Sequence, residues 1–211
     1  MATTTRSANG RATAAAAAAT FSHAPSGLTL FWLAVSVPLV IWDCGYVLLR
    51  PRTMPGGDLH WPLWAPYELY GQIDYVYGWK AFHAKSGFTG AQGLLNVVET
   101  LMYIYYALAY YRHAVAVGGS GGRKALVGRK AAVAVLVAFS ASVMTLSKTV
   151  LYWLCEYYSG YDNIGHNSLQ DLIFLWIIPN GAWLVGPTFM IFELGNEMVN
   201  TLAGGAGVKR D

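Results

Sequence analysis

The chain is organised as long apolar runs separated by shorter polar connections. Four runs, at about residues 28–49, 91–111, 131–157 and 169–194, each reach the roughly 20 helical residues that a bilayer core requires. The short alternating segments of a membrane β-barrel are absent. The pattern predicts an all-α, polytopic membrane protein: a four-transmembrane-helix bundle with an aromatic-rich interfacial segment between helices 1 and 2. That segment, residues 54–89, sets Trp61, Trp64, Tyr67, Tyr70, Tyr75, Tyr77 and Trp79 among prolines and charges. Such residues favour the membrane–water interface, where ring and polar edge are both satisfied. Around residues 66–83 the expectation is an interfacial helix, serving either as an anchoring belt or as a lid over a substrate.

Three parts follow from the pattern: a disordered tail over residues 1–26, a membrane domain over 27–198 and a cytoplasmic tail over 199–211. The tail carries an alanine run from Ala14 to Ala19, too weak an apolar region for a signal peptide. Residues 112–130 combine Gly118, Gly119, Gly121 and Gly122 with Arg123, Lys124, Arg129 and Lys130, and read as a flexible basic loop. By the positive-inside rule this loop faces the cytoplasm, whereas residues 159–168 carry Asp162 and no Lys or Arg. Both termini then lie in the cytoplasm, consistent with Arg6 and Arg11 before the first span and Lys209 and Arg210 after the last.

Composition agrees, with 55% hydrophobic and only 12% charged residues against roughly a quarter charged in soluble domains. A net charge of +3, concentrated in one loop, excludes a nucleic-acid-binding face. Cys44 and Cys155 fall inside apolar runs and read as packing residues. There is no phosphate-binding glycine loop, zinc-type spacing or nucleophile elbow, so neither a cofactor nor a metal is expected.

The informative residues are acids inside the spans. Asp43, Glu99 and Glu156 sit among residues that would otherwise face hydrocarbon, where a charge costs roughly 3 kcal/mol and normally faces a polar cavity. On the second span Gln92, Asn96, Glu99, Tyr103 and Tyr106 recur every three or four residues and share a face. Such groups either glue neighbouring helices or line a site. On the third span Lys148, Tyr152 and Glu156 follow at four-residue steps. Lys148 and Glu156 are roughly 12 Å apart along the axis, too far to pair, so Lys148 is free to neutralise an acid on another helix. Glu156 reads either as a site residue or as a carboxylate in headgroup water. The fourth span holds Trp176, Pro179, Asn180, Trp183 and Pro187, a pattern for a kink exposing Asn180 beside two rings able to face a cation.

Two stretches carry a family resemblance: Val150-Leu151-Tyr152-Trp153-Leu154-Cys155-Glu156 and Asn180-Gly181-Ala182-Trp183-Leu184-Val185-Gly186-Pro187. With Asp43 in Trp42-Asp43-Cys44 and Glu99 in Val98-Glu99-Thr100, they resemble the EXPERA-domain family of emopamil-binding proteins and sterol isomerases, relatives of the sigma-two receptor. The resemblance covers roughly residues 28–198. It implies a four-helix endoplasmic-reticulum protein with a lipid-accessible pocket for sterol-like and cationic amphiphilic ligands. It also implies that an acid protonates a ring double bond and a base removes a proton elsewhere, through a carbocation. Asp43, Glu99 and Glu156 are then the catalytic candidates, and Tyr103, Tyr152, Trp176, Asn180 and Trp183 surround the substrate. Leu39 stands where the isomerases place a histidine one turn before the first-helix acid; His60 or His166 would have to compensate. Three functions stay open: a sterol or terpenoid double-bond isomerase, a non-catalytic sterol- or amphiphile-binding protein, and an isomerase or cyclase of a specialised terpenoid. The expected partners are a polycyclic lipid and the bilayer, with a homodimer left open.

Overall fold

The computed structural model describes residues 21–117 and 123–206. Four long helices dominate: α1 (Gly27–Leu48), α4 (Gly87–His113), α5 (Gly128–Tyr158) and α7 (Ile178–Ala206). Helices α2 (Pro66–Ile73) and α3 (Trp79–His83) lie in the connection between α1 and α4, and α6 (Leu169–Asp171) leads towards α7. Packing runs in sequence, α1 on α4, α4 on α5 and α5 on α7.

Local chemistry sets the helix boundaries. Ser26 caps α1 by accepting from the Thr29 N–H at 3.1 Å, and Ser168 does the same for α6 from Asp171. Proline shapes the last helix as expected, but through a specific distortion. Pro179 has no N–H to offer the carbonyl one turn back, and residues Leu172–Ile177 immediately before it form a π-helical turn in which Ile178 N–H bonds Ile173 O.

Three stretches are long and apolar enough to cross a membrane: Gly27–Leu48, Gly128–Tyr158 and Leu169–Gly204. Helix α4 has 27 residues but dilutes its apolar character with Gln92, Asn96, Glu99 and several tyrosines. The core between helices rests on small residues: Ala131, Ala134, Ala138 and Ala141 repeat at three- or four-residue spacing on α5 and are fully buried. That stripe lets Tyr103 and Tyr106 of α4 and Met190 and Leu194 of α7 approach closely, so contact area substitutes for a hydrophobic drive that lipid would not supply.

Two expectations are corrected at the end of the bundle that holds residues 21–26. The stretch 112–130 is not simply a loop: β2 (Val115–Val117) and β3 (Arg123–Val127) pair antiparallel, with Val115 opposite Ala125 and Ala116 opposite Lys124. Residues 118–122 between them lie outside the described residues. The end of the presumed tail joins this sheet as β1 (Ser22–His23), in the order β1-β3-β2. Counting basic residues hid the adjacent apolar pair Ala125 and Leu126; both are buried, and Leu126 belongs to the main core. His23 is anchored too, its Nδ1 2.7 Å from Glu197 Oε2 and its Nε2 2.7 Å from Tyr106 Oη. Residues 1–20 and 207–211, expected as parts of the two tails, lie outside the described residues, and the helix expected to end near residue 194 continues to Ala206.

The aromatic segment also differs from a single helix over residues 66–83. Asp74–Gly78 separates α2 from α3, because Gly71 and Gly78 approach so closely that a side chain on Gly78 would collide with the Gly71 carbonyl. Its aromatics pack inward on α1: Tyr46 and Tyr67 stack at 3.8 Å, and Tyr70 meets Tyr77 edge-on at 5.1 Å. Trp42 donates to Leu63 O at 2.9 Å and Trp64 to Trp42 O at 3.1 Å, tying the segment to α1 at both rings.

Candidate functional site

A cavity of about 430 Å³ opens between α1, α2, α4, α5 and the start of α7. Its volume lies within the range of small-molecule sites, roughly 300–1,000 Å³. Val37, Val40, Leu175, Pro179 and Trp183 supply apolar wall, and a connected group of polar side chains supplies the rest.

The polar wall begins on α1. Asp43 accepts a hydrogen bond from Tyr67 of α2 at 2.7 Å and another from Asn96 of α4 at 3.3 Å. Asn96 in turn accepts from the Lys148 ammonium of α5 through its Oδ1. Lys148 also donates to both oxygens of Glu99, at 3.0 and 2.8 Å. Thr145 adds a fourth donor, bonding Glu99 Oε2 at 2.8 Å, and Tyr103 stands 3.3 Å from Thr145. Four helices, α1, α2, α4 and α5, thus contribute to one chain of bonds from Tyr67 to Tyr103.

The buried pair explains how charge survives here. Glu99 and Lys148 expose 5% and 10% of their side chains, so neither has bulk water for solvation, and each satisfies the other. Such a pair need not add net stability over an apolar alternative, but removing one partner strands the other. Both oxygens of Glu99 are thus occupied by donors from α5, with the Lys148 ammonium beside it. The three-residue spacing of Asn96 and Glu99 follows from the helix period, and the three residues from Thr145 to Lys148 put hydroxyl and ammonium on the facing side of α5.

Of the eight site residues expected from sequence, the cavity brings together Asp43, Glu99, Tyr103, Tyr152, Asn180 and Trp183. Asn180 donates to Tyr70 at 3.3 Å and to Trp176 O at 2.8 Å, the second bond restraining it next to the π-helical turn. Trp183 meets Trp32 edge-on at 5.2 Å.

Glu156 and Trp176 do not line it. Glu156 is buried, but its carboxylate accepts from Asn163 Nδ2 at 2.7 Å and from Asn163 N–H at 3.3 Å, closing the turn after α5. It lies two turns beyond Lys148 on the helix, at the level of that connection instead of the cavity. Trp176 points its Nε1 at Asp74 Oδ2, 2.8 Å away. His60 and His166 are likewise structural: His60 Nδ1 lies 2.9 Å from Thr53 O, and His166 stacks on Tyr75 at 4.0 Å. Leu39 does line the cavity, one turn before Asp43.

Asp74 was missed from sequence. It is fully buried, and it accepts from Trp176, from Val76 N–H at 3.0 Å and from the Tyr152 hydroxyl. Burial pushes its carboxyl up to about 7, opposed by the Trp176 and Val76 donors and reinforced by the charge of Glu156. Because Tyr152 is a cavity residue, Asp74 fixes part of the wall from behind. An acid in a connecting segment gives no periodic signal; only its enclosure by Ile73, Tyr75 and Val76 hinted at burial.

The fold and site together define a helical protein of membrane character, with an acid-bearing apolar cavity at the junction of its helices. No protein-family model, curated protein or solved structure matches the chain.

Proposed function

We propose that this chain is an EXPERA-type membrane enzyme that shifts a carbon–carbon double bond in a sterol or related terpenoid lipid. The observation that carries the reading is that Asp43 of α1 and Glu99 of α4 share one largely apolar cavity, joined through Asn96 and Lys148. In the proposed reaction Asp43, as the carboxylic acid, gives its proton to one alkene carbon and leaves a cation on the other. Trp183 offers an aromatic face to that cation, an attraction of roughly 0.5–2 kcal/mol. The Glu99 carboxylate takes a proton from a neighbouring carbon, the C–H electrons form the displaced double bond, and exchange with water resets both acids. No redox cofactor enters the balance. Glu156 has no role in it.

The same reading makes α4 the fourth span. Leu94, Val98 and Leu101 form an exposed apolar stripe at four- and three-residue steps, suited to lipid on the side away from the cavity. Both termini are then cytoplasmic, in the endoplasmic-reticulum membrane, with the aromatic segment at the lumenal interface.

A second reading, binding without turnover, is favoured by one feature. Leu39 supplies no titratable group beside Asp43, and Lys148 already occupies Glu99. Incubating purified protein with a ring-unsaturated sterol and analysing the products separates the two. Conversion lost in both Asp43→Asn and Glu99→Gln is the expected result; sterol bound but returned unaltered sinks the catalytic reading.

A further inference from the structure

Two polar atoms in the cavity wall have no partner. Ser36 of α1 exposes 3% of its surface and its Oγ makes no hydrogen bond; Gln92 of α4 has a buried Nε2 that is equally unpaired. Among the described residues only four buried side-chain polar atoms lack partners, the others being the indole nitrogens of Trp32 and Trp153, and these two line the cavity. A buried donor left unmade costs about 1–3 kcal/mol, so an unexplained pair facing one space calls for an occupant that satisfies it.

Their placement follows from how α1 and α4 pack. Asp43 meets Asn96, while Val47 lies against Gly93, where a side chain's Cβ would come 2.8 Å from Val47 Cγ1. Residue numbers therefore rise along α1 as they fall along α4, and the two helices run antiparallel. Ser36 lies seven residues before Asp43, towards the β-sheet end; Gln92 lies four residues before Asn96, towards the aromatic segment. At 1.5 Å per residue the two unpaired groups stand roughly 16 Å apart along the bundle, on either side of the Asp43–Glu99 pair. That span is comparable to the distance from the ring-A oxygen of a sterol to the tip of its side chain.

We infer that the cavity takes a polycyclic lipid oxygenated at both ends, with one oxygen at Ser36 and the other accepting from Gln92 Nε2. This rests on the lipid-pocket reading above and deepens it. A sterol with a single hydroxyl satisfies one end only. A ligand with a hydroxyl or carbonyl at each end satisfies both and fixes its position lengthwise, holding the same ring carbons between Asp43 and Glu99.

The test measures equilibrium binding to the full chain in phosphatidylcholine nanodiscs, with cholest-8-en-3β-ol and its 25-hydroxy derivative as probes. The expected result is tighter binding of the diol by about two- to twelve-fold, the effect of one net hydrogen bond. Of Ser36→Ala and Gln92→Leu, the one at the side-chain oxygen should remove most of that gain, and the one at the 3β-oxygen common to both probes should weaken both sterols. Equal affinities for the two sterols overturn the inference, as does a result in which neither variant removes the diol's advantage. If a variant does not fold, the wild-type ratio decides alone. If neither sterol binds, the lipid-pocket reading falls first and takes this inference with it; a bound mono-alcohol with no gain for the diol refutes the inference while leaving the pocket standing.

Discussion

Replacing Lys148 with methionine is the sharpest probe of the polar wall. The side chain keeps its length and loses its charge, so the packing on α5 is little changed while Glu99 loses its counter-ion. Three hydrogen bonds from Nζ go with it, two to Glu99 and one to Asn96. With Glu99 exposing only 5% of its side chain, water cannot replace them. Stranding one member of a buried pair costs about 3–5 kcal/mol. For a chain of this size that lowers Tm by roughly 6–20 °C. Thermal unfolding in one detergent, followed by near-ultraviolet circular dichroism, measures it. The companion variant carrying both Lys148→Met and Glu99→Gln removes the stranded charge and should recover most of the loss, since a neutral amide needs no counter-ion. The coupling then exceeds 2 kcal/mol in the double-mutant cycle. A single substitution costing less than about 1 kcal/mol, or a double variant no more stable than Lys148→Met, would refute the claim that the pair is buried and mutually dependent.

Three further outcomes follow from particular contacts. Glu156→Ala frees both Asn163 donors and should lower stability by about 1–3 kcal/mol while leaving turnover per folded molecule unchanged; a fully folded variant with no turnover would return Glu156 to the chemistry. Gly186→Ala drives a methyl into the Trp32 ring, which supports Trp183, and should cost about 1–3 kcal/mol in thermal unfolding; an unchanged Tm would contradict that packing. For Asp74, whose folded value near 7 exceeds the ordinary 3.8, the folded chain keeps a proton that the unfolded chain releases between those values. Stability should therefore fall as pH rises from 4 to 7, by at most about 4 kcal/mol, and Asp74→Asn should flatten that slope. A wild-type profile that rises over the window would reverse the sign.

Much of the helical framework was legible because it is written in local periodicity. The run 91–111 lies inside α4, and the stripe of Gln92, Asn96, Glu99 and Tyr103 faces the cavity as its spacing required. Lys148 was recognisable as a counter-ion because a cation in an apolar helix needs one. What escaped depends on partners distant in sequence. Asp74 takes its meaning from Tyr152 and Trp176, 78 and 102 residues away, and Leu126 from a core that no basic loop advertises. Glu156 differs in the opposite way: its partner Asn163 is only 7 residues on, in the turn after α5, and it does not line the cavity.

The proposed proton transfer leaves an isotopic trace. Run in D2O with a ring-unsaturated sterol, the wild-type protein should place one deuterium at the newly saturated carbon of each product molecule, and Asp43→Asn should form no labelled product. Isomerised sterol without deuterium would show that the hydrogen migrates within the substrate, and the acid pair of the cavity would lose its proposed role.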